Sequence, residues 1–215
     1  ENNINSLKRV ILQRSLNYIS SFWRTILKRF ILLAIFISFS MLVMAGPPNP
    51  KVLIKTNYGD MVLKLSPSAA PESVKNFLTY VKDGYYNGTI FHRVIKGFMI
   101  QGGGMTPDLN RKTPRNPIKN EADNGLGNFR GTLALARTGD PHSATSQFFI
   151  NTKDNAFLNH RSKSPNGWGY CVFGKVIKGM DVVNTIENVQ TTSSGGRRDV
   201  PADPVIIEQM TILKD

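Results

Sequence analysis

Arg93 is the residue of this chain whose surroundings most need a chemical explanation. It lies in FHRVIKGFMIQGG, residues 91–103, among Phe91, Val94, Ile95, Phe98, Met99 and Ile100, with Gln101 just before two glycines. A permanent cation in such company has two readings. Its aliphatic stem can lie along apolar surface while the head reaches water or a carboxylate. Alternatively, the guanidinium is held in an apolar pocket because its charge acts on a substrate there. Periodicity alone leaves both open.

Other constellations are weaker. In GDPHSATSQ, Asp140, His142, Ser143 and Ser146 fall close together, which suggests a hydrolase. Triad members, however, usually come from distant positions and meet in space, and no G-x-S-x-G elbow accompanies these, so the stretch reads as a polar loop. The histidines His92, His142 and His160 show no metal-ligand spacing. Gly102, Gly103 and Gly104 lack the pattern of a phosphate-binding loop and read as a sharp turn at a sheet rim. Cys171 is the single cysteine. It cannot form an internal disulfide, and the run YCVFGKV makes it a small buried hydrophobe. None of these features implies a metal or a cofactor.

The elements that must position Arg93 can be read from the pattern around it. KVLIKT and MVLKLS alternate apolar and polar residues about Asn57–Asp60, a hairpin with a glycine turn. In PESVKNFLTYVKDG, Pro71 suits a first helical turn, and Val74, Phe77, Leu78 and Val81 make one apolar face. Gly84 is the stop. Asn87-Gly88 turns the chain into TIFHRVI, and the opening stretch makes two short strands meeting near Lys96-Gly97. Residues 103–130 read as a long surface loop. TLALAR, QFFINT, GYCVFGKVI and VIIEQMTIL are further strands, GMDVVNTIENV is a second helix, and 190–204 is loop. About eight short strands and two helices in one domain suggest a barrel or sandwich.

The chain has 215 residues and a formal net charge of +12. Residues 1–45 hold six basic residues and one acid, and the remainder 21 basic and 14 acidic. The excess can attract anionic partners. There is no run of five basic residues and no alternation with stacking aromatics, so nucleic acid is not expected as a partner. FILLAIFISFSMLVMA, residues 30–45, carries no charge and follows Lys28 and Arg29. Residues 1–45 therefore read as a secretory signal peptide. An uncleaved membrane anchor is the runner-up, and a mitochondrial presequence a third. The basic flank puts the remainder outside the cytoplasm, with membrane contact only through residues 30–45 if they are retained. Residues 46–50 form a short leader, and residues 51–215 the folded domain.

FHRVIKGFMIQGG, SQFFIN at 146–151 and VFGKVIKGMDVV at 172–183 resemble the cyclophilins, the peptidyl-prolyl cis-trans isomerases. PHSATSQFFIN followed by GWGYCVFGKV is most similar to the bacterial branch. The resemblance covers about Lys51 to Leu213. It implies a mainly β fold, a closed eight-stranded antiparallel barrel capped by two α-helices, and proline-containing polypeptides as substrates. It further implies a monomer and, with the leader, a periplasmic location or anchoring in the inner membrane. Position by position, Arg93 falls on the catalytic arginine, and Phe98, Met99, Phe149 and Leu158 on the wall of the proline pocket. Gln101 falls on a glutamine that bonds the substrate backbone and steadies the arginine. Ala136 and Arg137 match the strand edge that pairs with substrate, Gln147 lies in the adjoining groove, and His92 sits at the rim.

Three positions depart from the eukaryotic pattern: Phe157 for a tryptophan, Tyr170 for a histidine, and Arg137 for an asparagine. The last should matter least, because the family uses backbone groups there. Loss of the indole N–H removes a donor, so weak binding of the macrocycle cyclosporin is expected. The chemistry implied is bond rotation without proton transfer. An X–Pro amide has a barrier of ~18–20 kcal/mol. Twisting it localises a lone pair on the prolyl nitrogen, and a guanidinium aimed at that lone pair binds the transition state better than either isomer. A proline-binding chaperone or adaptor with incidental turnover is the alternative.

Overall fold

The computed structural model describes residues 49–214, together with position 26. The chain divides into residues 1–46 and 47–215; the proposed targeting segment falls in the first, outside the described residues apart from position 26, and the fold below is that of the second.

Strands β1 (Lys51–Thr56) and β2 (Gly59–Leu65) form the hairpin that their alternation requires. Val52, Ile54, Met61, Leu63 and Leu65 are fully buried. Helix α1 (Pro71–Lys82) follows, with Pro71 in its first turn. The expected apolar face is the one it buries: Val74, Phe77 and Val81 enter the core, joined by Tyr80. Burying each such side chain stabilises by roughly 1.5–3 kcal/mol. Strands β3 (Thr89–Ile95), β4 (Met99–Gly102), β5 (Thr132–Leu135) and β6 (Phe148–Asn151) come next. A 3₁₀ turn at Ala156–Leu158 precedes β7 (Val172–Lys178) and helix α2 (Met180–Glu187). Strands β8 (Thr191–Ser194), β9 (Arg197–Pro201) and β10 (Ile206–Leu213) complete the order.

Eight strands close an antiparallel barrel in the order β1-β10-β3-β4-β6-β5-β7-β2. Phe77 of α1 meets Phe148 edge-on at 5.5 Å and Phe173 at 5.2 Å, joining the helix to the barrel core. The stretch 190–204, expected as loop, instead holds the hairpin β8–β9, which turns at Gly195 and Gly196. Its first strand, TTSS, is exposed throughout. Without a buried face it shows no apolar alternation, the signal by which strands are recognised.

Residues 103–130 have little regular structure but are anchored. Arg115 N–H donates to the Tyr80 hydroxyl at 2.7 Å, and Asn120 Nδ2 donates to Gly169 C=O at 3.3 Å. Glu121 caps α1 from this segment: its carboxylate accepts from the backbone N–H groups of Glu72 and Ser73 at 3.1 and 2.8 Å, and from Ser73 Oγ at 2.7 Å. Ala70, at the N-cap position, supplies no such bond.

Candidate active site

Period-two alternation explains why Arg93 keeps apolar company. Phe91, Val94, Ile100, Phe148 and Ile150 belong to the barrel core. Met99, Ala134, Phe149, Leu158 and Val172 form a second apolar cluster, on the other face of the same sheet. Both faces are packed, so the strands read as nearly continuous apolar runs. Arg93 stands on the second face. Cross-strand pairing sets a row there: Arg93 opposite Gln101, Gln101 opposite Phe149, Phe149 opposite Ala134.

The register slips between Phe91 and Arg93, leaving His92 as the extra residue of a bulge. Such bulges re-aim side chains beside functional sites. His92 borders the adjoining groove but is largely buried, with no partner for Nδ1. Burial, reinforced by the charges of Arg197, Arg93 and Arg111, lowers its pKa to about 4.

A cavity of about 130 Å³ lies on this face. It is lined by Arg93, Phe98, Met99, Gln101, Ala136, Arg137, Phe149, Leu158 and Tyr170. A volume of this order holds one small ring. Arg93 stands at its edge rather than enclosed: its side chain is 43% exposed. Its one ion pair among the described residues joins Nε to Asp199 Oδ2 at 3.7 Å. Asp199 lies on β9, so the hairpin missed in the sequence supplies the counter-charge. Gln101 does not bond Arg93; its Nε2 donates to Gln147 Oε1 at 3.0 Å.

His92 and Gln147 line a larger adjoining groove of about 620 Å³, which shares Arg93, Gln101, Ala136 and Arg137 with the small cavity. Gly104 lets Gln147 enter: a Cβ there would lie 2.6 Å from Gln147 Cγ. The glycines thus serve close approach as well as turning. Ala136 N–H donates to Gln147 C=O at 2.9 Å, fixing the end of β5 beside the groove. Phe157 lines neither space; 64% exposed, it stacks on Phe98 at 5.6 Å. Two of the departures noted above pack on each other, with the Arg137 guanidinium 4.7 Å from the centre of the Tyr170 ring.

The remaining candidates have structural partners. His142 Nδ1 accepts from Asn120 N–H at 3.1 Å, and Ser143 Oγ donates to Asp140 C=O at 2.7 Å. These are bonds of a polar loop. Cys171 is buried 3.3 Å from Ser73 Oγ, and desolvation pushes its thiol up to about 12, too high for a nucleophilic thiolate.

The chain matches the family model for cyclophilin type peptidyl-prolyl cis-trans isomerases over residues 51–212. It is 62% identical to a peptidyl-prolyl cis-trans isomerase of Streptomyces antibioticus, over 75% of this chain and 98% of that one. It is 60% identical to peptidyl-prolyl cis-trans isomerase B of Escherichia coli K12, again over 75% and 98%. A solved cyclophilin type isomerase of Cryptosporidium parvum, crystallised in the presence of the dipeptide Ala-Pro, superposes with a TM-score of 0.66 at 36% identity, over 77% of this chain and 99% of that one. A closed eight-stranded barrel with two helices, matched in sequence from its first strand to its last, makes this chain a member of the cyclophilin-type peptidyl-prolyl cis-trans isomerases.

Proposed function

We propose that this isomerase acts on exported polypeptides and that Arg93 drives the rotation. The observation that carries the assignment of Arg93 is its place at the edge of a ring-sized cavity walled by Phe98, Met99, Phe149 and Leu158, directly across the strand pair from Gln101. The prolyl ring sits against Phe98, Met99, Phe149 and Leu158 while the chain on its N-terminal side turns. The guanidinium donates to the prolyl nitrogen once twisting has freed its lone pair. Asp199 contacts Nε and so leaves the Nη edge for substrate. Gln101 and Gln147, bonded to each other, form a polar wall that holds the substrate backbone. No proton is transferred, so no titrating group is needed.

An isomerisation assay on a proline peptide tests the role of Arg93. Arg93→Ala is expected to lower kcat/KM by ~10²–10³, the scale of losing one electrostatic contact made in the transition state. Full activity in that variant would remove Arg93 from the mechanism. Export rests on the basic and apolar segment before Gly46. Mass spectrometry of the protein recovered from the bacterial envelope is expected to find a new N-terminus near Gly46; an intact segment would mean an anchor instead.

A further inference from the structure

Six cations line the larger groove: Arg93, Arg111, Lys112, Arg137, Arg197 and Arg198. No acidic residue lines it among the described residues. Asp199 sits at Arg93, but no carboxylate pairs with Arg111, Arg197 or Arg198 among the described residues. Lys112 and Arg137 donate to the neutral carbonyls of Tyr85 and Gly169, which leaves their charge uncompensated. The cations come from separate places in the fold: β3, the anchored segment 103–130, the end of β5 and strand β9. They converge on one concave space, which distinguishes them from a solvated charge run.

The groove is continuous with the proline cavity through the four residues they share. An extended chain advances about 3.3 Å per residue. A peptide whose proline fills the small cavity and whose chain continues into the groove on one side therefore runs a few residues along the cations. A positive cleft raises the local concentration of anionic ligands and speeds their association, and complementary charge sets specificity more than raw affinity.

We infer that Arg111, Arg197 and Arg198 make this enzyme selective for X–Pro bonds flanked within a few residues by Asp or Glu. The inference rests on the proline cavity being the isomerisation site. Groove charge and cavity chemistry have separate roles: the cavity reads the proline, and the groove reads the sign of its neighbours.

The test compares kcat/KM for three proline peptides that differ only in a flanking Glu, Gln or Lys, placed in turn on either side. The order Glu, then Gln, then Lys is expected at one or more positions, with Glu about three- to ten-fold over Gln, the scale of one or two partly exposed ion pairs. The ratio should shrink toward one as salt rises from about 0.01 M to about 1 M, where screening shortens from about 30 Å to about 3 Å. Arg197→Gln with Arg198→Gln should lower the ratio, and Arg111→Gln should lower it further. Arg198→Glu should shift preference toward the Lys peptide, a gain that misfolding cannot imitate. Equal rates on all three peptides at low salt would overturn the inference while leaving the isomerisation site intact. Failure to isomerise any of them would overturn that site and the inference with it.

Discussion

At the scale of single residues, the site is built on a cation and its counter-charge, Arg93 Nε and Asp199 Oδ2 at 3.7 Å. Arg93 stood out because a cation amid apolar residues needs a reason, and the alternation of two packed sheet faces supplies part of it. Its partner was not legible: Asp199 is far away in the chain, in a stretch with no strand signal. His92 makes a sharper prediction. The folded protein keeps it neutral down to about pH 4, whereas an exposed histidine takes a proton near 6.5. The unfolded chain therefore binds more protons between these values. Stability should fall as pH drops through this window, by on the order of 3 kcal/mol in all. Urea unfolding from pH 7 to pH 4 measures this, and His92→Gln should flatten the slope. Phe157, exposed and stacked on Phe98, offers a ring but no donor to a macrocycle. Cyclosporin should bind weakly and Phe157→Trp should tighten it, as titration calorimetry would read. A nanomolar dissociation constant for the unaltered protein would contradict the account.

At the scale of elements, helix α1 was readable because its signals are local: a proline start, an apolar face and a glycine stop. The cap was not. Glu121 reaches the helix N-terminus from the irregular segment 103–130, where no periodicity marks it. Its carboxylate satisfies two backbone donors and sits favourably at the positive end of the helix. Glu121→Ala should destabilise the protein by about 1–2 kcal/mol, the scale of a lost charged cap. The shift in the urea midpoint measures it, and Glu121→Gln should recover part. An unchanged midpoint would mean that water serves the helix end equally well. Segment 103–130 is the long surface loop expected, and its hydrogen bonds tie it to helix α1 and to Gly169. Hairpin β8–β9 is the other element that composition hid. It brings Asp199 to Arg93, and Arg197 and Arg198 to the groove.

At the scale of the whole molecule, the barrel separates two duties. Its interior takes the larger apolar cluster and carries the stability. One outer face takes the smaller cluster and the cavity, on a surface whose backbone is already fixed by strand pairing on both sides. This arrangement suits a reaction that needs a rigid wall for one half of the substrate and freedom for the other. Strand number and closure were open to pattern reading only as barrel or sandwich; the motifs, rather than the periodicity, chose between them. Whether Arg93 drives the rotation is decided by separating binding from turnover. NMR exchange on a saturating proline peptide gives the on-enzyme isomerisation rate, and titration gives its dissociation constant. For Arg93→Ala a rate lower by ~10²–10³ is expected, with affinity changed only about two- to three-fold, because the contact forms only in the twisted amide. Loss of affinity with an undiminished on-enzyme rate would show that Arg93 holds the substrate without driving its rotation.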